Sequence, residues 1–205
     1  MNAIPLFPST LFEGRVEENI SQLNDLVRIT AFQEADNLSG SKTHASYDTR
    51  ILEKFPRIKK ILLKNFIKFN NKFLFYSCDF AITTSWFTKT ESGCFSQYHS
   101  HKNSFYSGIV YFGDYSENSS RIEFENPNVD KNGFYIIPDV WDINNSITFS
   151  VLPEKNKLIF FPSYLKHRIS YGNDDFTRYS LAFNIVPIGS YGNADSFYDT
   201  KWFNQ

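Results

Sequence analysis

The stretch "TRYSLAFNIV", residues 177–186, alternates its side chains in a way that decides what kind of fold the chain can make. In extended backbone, successive side chains point to opposite faces. Arg178, Ser180, Ala182 and Asn184 therefore share one face, and Tyr179, Leu181, Phe183 and Ile185 share the other. A strand of this kind packs on a core with one side and borders something polar with the other. Similar runs precede it. From Phe73 onward the chain reads "FLFYSCDFAITTSWFT", "FYSGIVYF", "RIEFEN", "GFYIIP", "SITFSVL", "KLIFFP" and "KHRISY", punctuated by Pro, Gly, Asn and Asp. With no helical segments between them, these runs predict a mainly β fold, an antiparallel sandwich or jelly roll rather than a parallel βαβ sheet.

Before Phe73 the period changes. The segment "GRVEENISQLNDLVRIT", residues 14–30, places Val16, Ile20, Leu23 and Val27 on one helical face, with acids early and Arg28 late. The segment "FPRIKKILLKNFIKFN", residues 55–70, opens with Pro56, which suits a first helical turn, and aligns Ile58, Ile61, Leu62, Phe66 and Phe69 in a stripe. Both helices are expected to cover the β structure from outside. The 205 residues, 41% of them hydrophobic, are enough for one full core. The chain is accordingly read as a single domain, 1–205, whose N-terminal portion, up to about residue 72, is helical.

Composition narrows the partners. A formal net charge of −1, with acids and bases mixed along the chain, gives no whole-protein attraction to nucleic acid or to an anionic membrane. The cationic face formed by Arg57, Lys59, Lys60, Lys64 and Lys68 lacks interleaved aromatics and reads as a solvated helix face. Cys78 and Cys94 form no CxxC pair and read as free thiols in a reducing compartment. "MNAIPLFPSTLFEGR" lacks the basic and apolar regions of a leader, and no run approaches the roughly 18 apolar residues of a membrane span. The expectation is a soluble, cytoplasmic protein. Its Asn-, Lys- and Phe-rich composition suits an AT-rich bacterial or viral genome, with the host cytoplasm as the location if it is phage-encoded.

Chemistry concentrates at a few positions. In "QYHSHKNSFYSGIVYF", residues 97–112, His99 and His101 project from the same side of extended chain, so both imidazoles can reach one ion, or both are polar residues at a strand entrance. His167 follows an apolar strand and a proline turn in "KLIFFPSYLKHRISYG", and a jelly roll can return such a strand beside a distant one. An arginine facing the interior is costly unless it meets an anion, and its planar fork matches a carboxylate. Arg178 therefore asks for a buried Asp or Glu, or for a ligand carboxylate. His44, in "GSKTHASYDTR", is expected in an exposed loop. Residues 126–145 are polar enough to form a mobile lid. Trp86, Phe134, Tyr135 and Trp141 either line an entrance or belong to the core.

The order H-x-H at 99–101, "SGIVY" at 107–111, "FPSYLKH" at 161–167 and "RYSLAFN" at 178–184 resembles the 2-oxoglutarate and Fe(II)-dependent oxygenase superfamily, in its small phage and bacterial branch with a prolyl-hydroxylase-like layout. The resemblance implies a double-stranded β-helix that uses Fe(II), 2-oxoglutarate and O₂. It also implies that His99 and His167 are metal ligands, with His101 standing where most of the superfamily has Asp or Glu. Arg178 and Ser180 would grip the distal carboxylate of 2-oxoglutarate, and Tyr111 would add a hydroxyl. Three neutral imidazoles also suit Zn²⁺, Ni²⁺ or Cu²⁺, and Asp114 or Glu123 is an alternative source of the missing carboxylate. The implied activity is hydroxylation of an unactivated C–H bond, foremost in a protein or peptide residue such as proline, with a small molecule as the other substrate class. Two further readings stay open on the same fold: a three-histidine metal enzyme of another type, and a non-catalytic phage binding or structural module.

Overall fold

The computed structural model describes residues 8–34, 43–128, 133–134, 136–172 and 176–203. Tyr135, and with it part of the expected lid, lies outside the described residues. Twelve strands run through the described part: β1 (Phe12–Arg15), β2 (Phe32–Glu34), β3 (Thr43–Ser46), β4 (Asp79–Thr90), β5 (Tyr106–Val110), β6 (Ile122–Glu125), β7 (Thr148–Val151), β8 (Lys157–Pro162), β9 (His167–Ile169), β10 (Arg178–Ile188), β11 (Ser190–Tyr191) and β12 (Tyr198–Asp199). The two α-helices are α1 (Gln22–Ile29) and α2 (Pro56–Phe69). A seven-stranded sheet in the order β1-β8-β5-β10-β4-β3-β2 faces a three-stranded sheet in the order β7-β6-β9. Every ladder is antiparallel, as the run of short strands predicts.

The two faces of β10 divide the molecule. Leu181, Phe183 and Ile185 are fully buried and pack with Leu23 and Val27 of α1 and with Ile58, Leu62, Phe66 and Phe69 of α2. Ala182, on the other face, joins Ile109, Tyr111, Ile122, Phe124 and Phe161 between the two sheets. Burying each large apolar side chain contributes roughly 1.5–3 kcal/mol, so the helix-backed layer holds most of the apolar stabilisation. Gly108 of the "SGIVY" run has a steric reason: a Cβ there would sit 2.3 Å from the Phe183 ring.

Four expectations are corrected. The first helix begins later than residue 14, because β1 pairs residue by residue with β8 and Val16 continues that pairing by donating its N–H to Asn156 O at 2.8 Å. Val16 and Ile20 are buried as expected, but in non-helical chain that leads into α1. With β2 and β3 also joining the large sheet, the N-terminal portion is part of the β structure as well as its helical cover. "GFYIIP" supplies no strand among the described residues, since β6 is already paired on both sides and Pro138 has no N–H to give. "FLFYSC" is likewise not extended from its start: a π turn over Asn70–Leu74 prolongs α2, and Phe75 sits at φ 59. The Asn70 side chain accepts from Tyr76 N and donates to Tyr76 O there, which closes the turn before β4 begins. The second helix has the expected extent and stripe.

Candidate metal centre

His99 and His101 lie in extended chain ahead of β5. That chain is held against the β8–β9 turn by backbone bonds: His99 and His167 exchange N–H···O bonds of 3.0 and 2.9 Å, and His101 N–H donates to Ser163 O at 3.0 Å. The turn at "PSYL" and the pairing of residue 99 with 167 bring the third imidazole to the first two. The candidate ligand atoms of His99, His101 and His167 all lie within 4.8 Å of one another. His167 is buried, His101 half-buried and His99 exposed, so the cluster sits at a mouth that opens to solvent on one side.

The tautomers suit a cation. His99 Nδ1 and His167 Nδ1 each lie 2.9 Å from a backbone carbonyl, of Gln97 and Leu165 respectively. A carbonyl only accepts, so each Nδ1 carries the proton and leaves Nε2 as a bare lone pair. Burial, and after it the neighbouring His99 ring, push His101 down to about 4. Burial, again with His99, pushes His167 down to about 3. Both rings are therefore neutral near pH 7 and available as donors. Phe161 packs edge-on to His167 at 4.7 Å and Trp86 edge-on to His101 at 5.4 Å, which restricts ring rotation.

The carboxylates considered from sequence are elsewhere. Asp114 is exposed and ion-paired with Lys155 at 3.7 Å. Glu123 takes Arg168 at 2.7 Å and the hydroxyl of Tyr98, whose phenol burial pushes up to about 12, with the Glu123 bond adding to it. Among the described residues the cluster holds histidines alone.

A cavity of about 470 Å³ extends from the cluster to Arg178, and both border it. Arg178 is 2% exposed and has no ion pair with a carboxylate of the described residues. Its Nε donates to Ser120 O at 3.0 Å, one Nη to Ser180 Oγ at 3.1 Å and the other to the Tyr111 hydroxyl at 3.2 Å. Burial without a counter-ion is costly for a guanidinium. The described residues that line the cavity include no acid, so its field favours an anion. Five of the six side chains singled out from sequence therefore border one cavity, the three histidines at its mouth and Arg178 with Ser180 beyond them, while Tyr111 is buried behind Arg178 with its hydroxyl bonded to an Nη.

Sequence reading missed Thr88. It pairs with Ser180 across the β4–β10 ladder, and the two hydroxyls are hydrogen-bonded. The signal was the alternation Thr84, Trp86, Thr88 in "TTSWFT", which matches the polar face of β10. His44 is a correction: it lies in β3, half-buried, with its Nδ1 buried and without a hydrogen-bond partner among the described residues. Trp86 borders the cavity, whereas Phe134 and Trp141 stand exposed outside it.

Residues 84–184 match the family described as "Putative 2OG-Fe(II) oxygenase". A Pseudomonas putida prolyl-4-hydroxylase is similar in structure, at TM-score 0.58 and 13% identity, over 88% of this chain and 94% of that one. The non-heme α-ketoglutarate-dependent epimerase SnoN from nogalamycin biosynthesis superposes at 0.63 and 10% identity, over 90% and 79%. HygX from Streptomyces hygroscopicus, solved with nickel, 2-oxoglutarate and hygromycin B, superposes at 0.59 and 8% identity, over 87% and 83%. No curated protein sequence matches the chain.

Proposed function

We propose that this protein, which belongs to the 2-oxoglutarate and Fe(II)-dependent oxygenase superfamily through residues 84–184, is a hydroxylase acting on a protein or peptide residue such as proline. The observation that carries the co-substrate assignment is a buried Arg178 with no carboxylate partner among the described residues, bordering the same cavity as three converging imidazoles. In this reading His99, His101 and His167 hold the iron. Arg178, Ser180 and Tyr111 hold the distal carboxylate of 2-oxoglutarate. When bound, iron and 2-oxoglutarate together supply an O₂-derived oxidant for an unactivated C–H bond.

The chain's own residues bind, orient and exclude. Arg178 offers a charged donor that is itself buried, where its bond to a carboxylate is strengthened by the low local dielectric. Ser180 and Tyr111 already hydrogen-bond its Nη atoms, which fixes the guanidinium plane before any ligand arrives. The carbonyls of Gln97 and Leu165 keep His99 and His167 in one tautomer and one orientation. Ile109, Ile122 and Ile169 give the cavity an apolar wall that keeps water from the reacting centre.

Anaerobic Fe(II) loading followed by 2-oxoglutarate titration tests this reading without knowledge of the substrate. A visible charge-transfer band is expected in wild type, absent in His167→Ala and weakened in Arg178→Gln. Well-folded, iron-loaded wild type that gives no band would turn the reading to a three-histidine metal enzyme that works without 2-oxoglutarate.

A further inference from the structure

Residues 54–78 hold seven lysines and arginines and no acid, which against the whole-chain charge of −1 leaves −8 on the remainder. Lys54 and Lys59 are ion-paired, with Asp48 and Glu53 respectively. Arg57, Lys60, Lys64, Lys68 and Lys72 are exposed and have no carboxylate partner among the described residues. Each residue of α2 turns about 100° around the axis, so Arg57, Lys60, Lys64 and Lys68 form one stripe, opposite the buried Leu62, Phe66 and Phe69. Within the chain this stripe is unfavourable. Lysines four apart repel one another, and Arg57 in the first turn opposes the helix dipole, with no acid in that turn.

The aromatic rings that the helix lacks between its lysines stand at its end. Beyond α2 the π turn leaves Phe73, Phe75 and Tyr76 exposed, and Lys72 Nζ lies 5.2 Å from the centre of the Phe73 ring. Phe75 is the informative residue. It is 74% exposed, and its backbone sits at φ 59, where a bulky side chain is strained. Neither packing nor backbone preference accounts for a phenyl ring at that position.

We infer that this stripe and its aromatic end form a docking surface for single-stranded nucleic acid. Cations four residues apart are about 6 Å apart along the helix axis, a spacing that follows the phosphates of an extended strand. Unpaired bases stack on exposed aromatic rings. A duplex keeps its bases stacked inside and leaves those rings without a partner. An anionic membrane takes up a helix through its apolar face, and the apolar face of α2 is closed against the core, where Leu62, Phe66 and Phe69 are buried. The inference stands apart from the hydroxylase reading, since none of these side chains borders the histidine cavity.

The probe is a fluorescein-labelled oligothymidylate dodecamer, with the same strand annealed to its oligoadenylate complement as comparator, titrated by anisotropy into the full chain. Wild type is expected to bind the single strand more tightly than the duplex. The logarithm of its affinity should fall against that of salt with a slope of about −3, as for about four neutralised phosphates on a single strand. The triple variant Lys60→Glu, Lys64→Glu, Lys68→Glu, at exposed positions, is expected to lose about thirtyfold or more. Phe75→Asn removes the ring and supplies a residue that tolerates the left-handed backbone. It should weaken binding about fivefold or more while holding or raising the denaturation midpoint, whereas a ring with only a structural role would lower the midpoint and leave binding unchanged. Equal binding of single strand and duplex, or undiminished binding by either variant, would overturn the inference. So would wild type that ignores the oligonucleotide but sediments with phosphatidylserine–phosphatidylcholine vesicles in a lysine-dependent way, which would assign the surface to anionic lipid.

Discussion

The two faces of β10 carry different kinds of free energy. On the helix side, Leu181, Phe183 and Ile185 lock into a closed apolar layer with α1 and α2. On the inner side, Arg178, Ser180 and Ala182 border a cavity, and the Arg178 guanidinium lies buried with no carboxylate partner among the described residues. One strand, read at period two, thus serves a layer that stabilises the fold and a layer that gives up stability to keep a site open. The difference teaches where to look for function: in the buried group whose interactions the chain itself does not complete.

Substitutions on opposite faces should separate these roles. The largest effect is expected from Phe183→Ala, which empties a fully buried site beside Phe160 and should cost about 3–5 kcal/mol in chemical denaturation. Arg178→Met breaks the comparison if it behaves likewise. It is expected instead to leave unfolding within about 1 kcal/mol of wild type, since a buried charge without a counter-ion contributes little net stability. Arg178→Gln should weaken 2-oxoglutarate binding about a hundredfold, roughly 2.7 kcal/mol, measured by titrating the charge-transfer band.

Acid should act first on the inner layer. In the unfolded chain His101 and His167 take protons near pH 6.5, whereas in the folded metal-free protein they wait until about 4 and about 3. The unfolded state then binds more protons, so stability is fully present above about pH 6.5 and falls as pH drops toward 4. The slope should reach about 1.4 kcal/mol per pH unit for each histidine, read from denaturant midpoints across pH, and His101→Ala should remove one share of it. The smallest effect sharpens the pocket boundary. Thr88→Val removes the hydroxyl bonded to Ser180 and should weaken 2-oxoglutarate binding about fivefold, roughly 1 kcal/mol, with little change in unfolding.

Much of this division was legible in the chain. The alternation in "TRYSLAFNIV" assigns every residue from Arg178 to Ile185 to the face it occupies, because a strand has only two faces and one of them is apolar. The stripe of α2 was equally clear, since 14 residues give a helical period room to repeat. The α1 segment was legible as a buried face but not as a helix along its length, because the extended ladder with β8 claims its first residues. His44 was misplaced for a similar reason. Its strand exists through pairing with β2 and β4, partners that no local pattern announces.

What the sequence by itself determined is the set of side chains able to do chemistry and the local geometry that aims them: paired histidines two apart, an arginine on the polar face of a strand, and a serine beside it. Spacing and alternation are properties of the backbone over a few residues, and they survive in any fold that keeps the strand extended. The tertiary structure alone decided that His99 meets His167 through a backbone pair, that Thr88 stands opposite Ser180, and that no carboxylate of the described residues reaches Arg178. These depend on which distant strands pair and in what register. Sheet register is set by the sum of packing over the whole core, so no single stretch of the chain encodes it.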